Sequence, residues 1–439
     1  MRIAILAPFS AFDDSYSLAH AVAQQVRALE MVGHDVELWT LANLNPDSEP
    51  MLAGMGQTVK PCIPVTIWQP DVTTPHKAEA IRKALAERIQ VFRPGAIITH
   101  DALFQAWYID TARAIHELTH AECNGESWDI RWFHIAHSVV DPAAPAPHED
   151  QKYRRTLPEG HELIALSHTH ADDLAKYYST TRDRVHVIPN CHDPRHIWKM
   201  HPAAEAMLKR ADLLNRDIVQ VYPFCATRAG SKGIPQLLRI FEAMQRHADA
   251  ALVLCDANAQ TDGASSPKTI SIWSWSLAAE LAPNVEVFRM SSIEGCTKGT
   301  PHRAVMDLMR LSNLFIFPTQ GEACPLILAE AMQAGCVVAI NSLVGPLVEY
   351  APHNALRFSL PAIGHRVRHH ATVTTTNGDG TQTQTTYEDG DAETLVLEQI
   401  AERCIEAVRL CPAAQAKVAA FRTFSLESHG RRWEEVLRT

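Results

Sequence analysis

Asn313–Ile340 reads NLFIFPTQGEACPLILAEAMQAGCVVAI. Leu314–Phe317 is a short continuous apolar run, the pattern of a strand covered on both faces. Pro318 ends it, a loop carries Gly321 and Glu322, and Pro325 opens a helix where a missing N–H costs nothing. Gly335 closes that helix in the usual cap position, and Val337–Ile340 is the next strand. Such a unit aims unpaired helix amides at the mouth of a sheet, a place that attracts anionic or hydroxyl-rich ligands. Glu322 stands at that mouth, with Glu330 about two helical turns further on.

The same rhythm extends in both directions. Upstream, strand-like runs at Ile3–Ala7, Val36–Trp39, Ile63–Trp68, Ala96–Thr99, Trp132–Ala136, Leu163–Leu166 and Val185–Ile188 alternate with helix-like stretches such as Leu18–Val32 and Lys77–Phe92. A polar stretch at Trp198–Asn215 reads as a helical linker. Ile218–Tyr222, Ala251–Cys255 and Val285–Phe288 then restart the pattern. Alternating strands and helices predict two Rossmann-like, doubly wound α/β domains facing across a cleft between sheet ends. The expected boundaries are 1–200 for the first domain, 201–420 for the second, and 421–439 for a C-terminal helix placed against either lobe. Arg366–Tyr387 departs from the pattern: alternating threonines around Asn-Gly-Asp-Gly predict an exposed hairpin inserted in the second domain.

Bulk properties narrow the class. The 439 residues carry 40 Lys+Arg against 50 Asp+Glu, a formal charge of −10, which argues against holding nucleic acid by general attraction to phosphate. The ten cysteines lie far apart and predict free thiols in a reducing compartment. The 23 histidines show no metal-ligand spacing and are expected mostly at the surface, with no structural metal. No apolar run approaches the roughly 20 residues of a membrane-spanning helix, and the expected location is the cytoplasm.

Four segments resemble one family. Glu322 and Glu330 in E-x7-E spacing, inside EACPLILAEAMQAG, look like the signature of family 4 of the retaining GT-B glycosyltransferases. Asp217–Met244, with Arg228 and Lys232 on the loop after a strand, is similar to that family's R…KG segment. Val185–Asp193 (VHVIPNCHD) resembles its I-P-N-G-V-D stretch, with Cys191 in place of Gly. Asn341–Tyr350 (NSLVGPLVEY) resembles its G-G-x-x-E loop, with Pro346 in place of the second Gly. The resemblance implies that Glu322 lies against the donor sugar and Glu330 binds the nucleotide ribose, while Arg228 and Lys232 neutralise the diphosphate. It further implies donor contacts at Gly233, Ala323, Cys324, Leu326 and Glu349. His137, at the end of FHIAHS, would face donor and acceptor. The alternatives are an ordinary loop histidine for His137, solvated surface cations for Lys232 and Arg228, an acid favoured by a helix N-terminus for Glu322, and an ordinary surface carboxylate for Glu349.

The implied reaction moves a sugar from a nucleotide-sugar donor to an acceptor hydroxyl with retention of anomeric configuration and no obligatory metal or other cofactor. Asp13 and Ser15 in the opening loop are further candidates for holding hydroxyls. The acceptor stays open between a small molecule, a lipid, a polysaccharide and a hydroxylated base in DNA, for which the RVRHH run at Arg366–His370 is the candidate contact. Competing readings are a sugar phosphorylase, a nucleotide-sugar epimerase and a nucleotide-sugar-binding module without catalysis.

Overall fold

The computed structural model describes residues 1–9, 12, 17–42, 58–63, 74–119, 129–138, 140–141, 149–225, 229–257, 284–296, 298–360, 371–376, 382–387 and 391–438. The chain forms two compact units, Met1–Asp193 with Thr423–Thr439, and Pro194–Arg422.

The first lobe is one parallel sheet of β1 (Arg2–Leu6), β2 (Asp35–Leu41), β3 (Thr58–Ile63), β4 (Ala96–His100), β5 (Arg131–Ile135), β6 (Glu162–Ala165) and β7 (Val185–Val187). Its order is β3-β2-β1-β4-β5-β6-β7, so the winding reverses between β1 and β4. The expected strand at Ile63–Trp68 is placed earlier, at Thr58–Ile63; residues 64–68 lie outside the described residues. Successive side chains of β1 serve opposite faces, as a strand's two-residue period requires. Ile3 and Ile5 pack with Val22, Val26 and Leu29 of the helix Ser17–Met31, whereas Ala4 and Leu6 pack with Ile81, Leu85 and Ile89 of the helix Pro75–Phe92. The helix Leu426–Arg438 adds Trp433 to the first of these cores, fully buried and edge-on to Phe133 at 5.7 Å between ring centroids. At Gly430 a Cβ would meet Val32 Cγ1 at 2.7 Å and the Ala28 carbonyl oxygen at 2.9 Å, so only glycine lets the two helices lie this close.

The second lobe holds two parallel three-stranded sheets. One is β10 (Val287–Arg289), β9 (Ala250–Ala257) and β8 (Ile218–Cys225), and the other is β11 (Leu314–Phe317), β12 (Val337–Asn341) and β13 (Leu356–Phe358). Two fully buried amides join them. Gln220 donates to the Ile316 carbonyl and accepts from its N–H, each at 2.9 Å. Asn313 accepts from the Val219 N–H at 2.9 Å and donates to the Asp217 carbonyl at 2.8 Å. The stretch Trp198–Asn215 is not a free linker. Its helix Pro202–Ala211 buries Ala204, Met207 and Leu208 in this lobe's core, because its apolar residues recur at helical spacing.

After β13, strands β14 (Ala371–Thr376) and β15 (Gln382–Tyr387) pair antiparallel, with Thr376 opposite Gln382. The Asn377–Gly380 turn and the Arg366–His370 run lie outside the described residues. Histidine burial also departs from expectation. His100, His116, His134, His161 and His429 are all buried in the first lobe. Neighbouring strands supply each other's partners: Thr99 of β4 bonds His134 of β5 at 2.8 Å, and His134 bonds His161 beside β6 at 2.8 Å. No helix among the described residues is long and apolar enough to cross a membrane.

Candidate active site

In the second lobe, the loops after β8 and β11 are joined directly. The Gln320 N–H donates to the Ser231 carbonyl at 2.8 Å, and the Thr319 hydroxyl donates to the same oxygen at 3.3 Å. Asn341, fully buried at the end of β12, fixes the other side by donating to the Thr319 carbonyl at 3.1 Å. Gly233 makes the approach possible. It takes a left-handed φ of 71°, and a Cβ there would lie 2.4 Å from the Pro318 carbonyl oxygen. Any side chain would push the two loops apart.

This junction brings Lys232 and Glu322 into an ion pair, with side chains 15% and 17% exposed. Tyr222, fully buried below them, donates its hydroxyl to the Lys232 carbonyl at 2.8 Å. Burial, then the nearby Glu322 carboxylate, raises the Tyr222 pKa well above its ordinary value, so it stays a protonated donor. The helix after Glu322 runs Leu326–Gln333 with Pro325 at its cap, and Gly335 follows its end at a φ of 76°. Ala323, Cys324 and Leu326 line its start as exposed residues, Leu326 at 70%. Glu330 lies on that helix and pairs with Nε2 of His302 at 2.9 Å, on the helix His302–Leu311. His302 is a contact that spacing did not suggest. Glu349 is exposed on a short helix, Gly345–Tyr350, where the resemblance implies a loop. Arg228, Asp13 and Ser15 lie outside the described residues.

In the first lobe, His137 follows β5, and its Nε2 stands 2.8 Å from Nδ1 of His100, the last residue of β4. Asp101 adopts a left-handed φ of 55°, and its carboxylate accepts the His137 N–H at 2.8 Å. Burial, followed by the charge on His170, lowers the His137 pKa to about 4, so the ring is neutral near neutrality. Burial raises the Asp101 pKa. Both residues lie at the carboxyl ends of strands beside the point where the winding reverses, the usual ligand edge of an open α/β sheet.

Two Rossmann-like lobes, one carrying a cation–carboxylate pair at paired strand–helix loops, define a protein of the GT-B class. The chain matches the Glycosyltransferase Family 4 model over residues 18–196 and the glycosyl transferases group 1 model over residues 209–362. It belongs to the GT-B glycosyltransferases of family 4 and group 1. No protein of curated function matches it. Among solved structures, a glycosyltransferase from Rickettsia africae is 14% identical, covering 100% of this chain and 97% of that one at a TM-score of 0.38. HepE of Anabaena in complex with UDP is 14% identical over 100% of both chains at 0.36. Sucrose-phosphate synthase of Thermosynechococcus elongatus is 15% identical over 100% and 98% at 0.34.

Proposed function

We propose that this glycosyltransferase takes its sugar from a nucleoside-diphosphate sugar bound in the second lobe and passes it to an acceptor hydroxyl with retention of configuration. The Lys232–Glu322 pair supports this reading best. It puts an ammonium and a carboxylate side by side at the junction of two loops, where the family motif expects a diphosphate and a sugar. A departing nucleoside diphosphate gathers negative charge, and a prepositioned ammonium stabilises that charge most in the transition state. Lys232 would release Glu322 to the donor sugar's hydroxyls as it engages the diphosphate. Glu330 would take the ribose hydroxyls from the neighbouring helix. With the charge met by Lys232 and Arg228, this route uses no metal, and retention follows from the family resemblance.

Two experiments test it. A thermal-shift panel of nucleoside diphosphates and their sugars should raise the melting temperature with one base series, since binding to the folded state stabilises it by mass action. Lys232→Ala should keep the fold and lower turnover by about 10²–10³-fold. Full activity in that variant, or no shift with any nucleotide, would overturn the assignment. The anomeric configuration of the product, read by proton NMR, decides retention.

A further inference from the structure

A chain of three side chains in the first lobe remains unused by the donor reading. Gln25, buried on the helix Ser17–Met31, places its amide oxygen 2.7 Å from Nε2 of His100. His100, 1% exposed, places Nδ1 2.8 Å from Nε2 of His137. The two imidazoles are nearly parallel, at 13°. The chain ends at Nδ1 of His137, which is buried and has no hydrogen-bond partner among the described residues.

Proton counting gives this chain one direction. With the Gln25 amide oxygen turned toward it, an atom that only accepts, His100 carries its proton on Nε2. A neutral imidazole has one N–H, which leaves Nδ1 of His100 as a bare acceptor. Burial, with the charges of His137 and His429 behind it, keeps His100 neutral by lowering its pKa well below the ordinary value. His137 must then donate through Nε2, and its own Nδ1 is left as a lone pair. A buried acceptor without a donor costs about 1–3 kcal/mol, a cost that a donor reaching it recovers. The Asp101 carboxylate holds the backbone behind the ring, so the lone pair is held in direction as well as in kind.

We propose that Gln25 and His100 are positioning residues that lock His137 in the tautomer with a bare Nδ1, which accepts a hydrogen bond from a carbohydrate hydroxyl. The identity of that hydroxyl rests on the transferase reading above; the tautomer does not. The lock makes His137 an acceptor only, selecting a hydroxyl over a carbonyl or phosphate oxygen at that point.

Histidine nitrogen NMR on the full chain with 15N-labelled histidine, with no sugar added, tests the lock. His137→Gln identifies the resonances by subtraction. Nε2 of His137 should be protonated and Nδ1 bare, and the reverse pattern would overturn the proposal. Gln25→Met removes the amide oxygen at similar volume. It should mix the two His137 tautomers and lower kcat about tenfold, one hydrogen bond's worth. KM for the donor, and the melting shift the donor produces, should stay as in the parent chain. An unchanged tautomer or unchanged kcat in that folded variant would refute the positioning role. Should the variant fail to fold, the parent spectrum alone decides the tautomer. If no nucleotide sugar binds while the bare Nδ1 is found, the transferase reading fails and the lock stands.

Discussion

In the first lobe seven strands share one sheet, and four imidazoles, His100 with His137 and His134 with His161, pair between neighbouring strands beside the buried Asp101 carboxylate. In the second, two three-stranded sheets meet at β8 and β11, and the side chains that join them are amides. Both solutions satisfy buried polar groups, as an interior requires. They differ in chemistry: an imidazole titrates near neutrality and an amide does not. Among the described residues, the histidines whose pKa is lowered (His34, His100, His134, His137, His170 and His429) all belong to the first lobe. The two lobes should therefore answer acid differently.

The largest consequence is in stability against pH. Burial holds His137 and His429 at about 4, against an ordinary 6.5. The unfolded chain binds protons that the folded chain refuses, so stability falls as pH drops below about 6.5 and continues to fall toward 4. Each of the two accounts for about 3 kcal/mol across that window. Calorimetry between pH 7 and 4.5, with transitions assigned by hydrogen exchange corrected for intrinsic rate, should show the first-lobe transition falling by about 10 °C or more. The second-lobe transition should fall less. Equal shifts would break the comparison.

The amide seam can be tested from its own side. Gln220→Leu keeps the volume and leaves both the N–H and the carbonyl of Ile316 without their partner. Denaturant unfolding should show the second lobe losing about 2–4 kcal/mol, with the first lobe unchanged. Gly430→Ala is the matching change in the first lobe, where the added methyl meets Val32 and a backbone oxygen. It should cost about 1–3 kcal/mol there, read by the same denaturation. The smallest effect is expected from the hairpin. Replacing residues 372–386 by a short Gly-Ser link should move the melting temperature by about 1 °C or less, because threonines on a two-stranded ribbon supply little apolar area. A large drop would show that the second lobe depends on it.

The second lobe was the more legible one because its chemistry is local in sequence. Glu322, Pro325, Glu330 and Gly335 all fall within one strand–loop–helix unit, so periodicity and cap chemistry placed them together. Gly233 read as a donor contact, and the structure supplies a steric reason for glycine at that position. The imidazole network was not legible for the opposite reason. His100 and His137 lie 37 residues apart, and Gln25 lies 75 from His100. Only the pairing of parallel strands and the packing of the first helix bring them together. A histidine at a strand end reads the same whether it faces water or another imidazole. Trp198–Asn215 was half legible for a related reason: its polar residues read as a helical linker and the helix is there, but Ala204, Met207 and Leu208 form a narrow stripe that buries it in the lobe.

Residues 423–439 belong to the first lobe, while the whole second lobe, 194–422, is synthesised between them and residue 193. The order of making is therefore not the order of completion. The second lobe has every one of its residues before Trp433 exists to fill the face of the first sheet. At roughly 5–20 residues per second, the interval from residue 193 to 439 lasts on the order of 10–50 s. Through that time Phe133 and the helix surface around Ala28 and Val32 stand uncovered on the ribosome. The lobe that starts first is completed after the second, and its open face is apolar surface of the kind that chaperones cover.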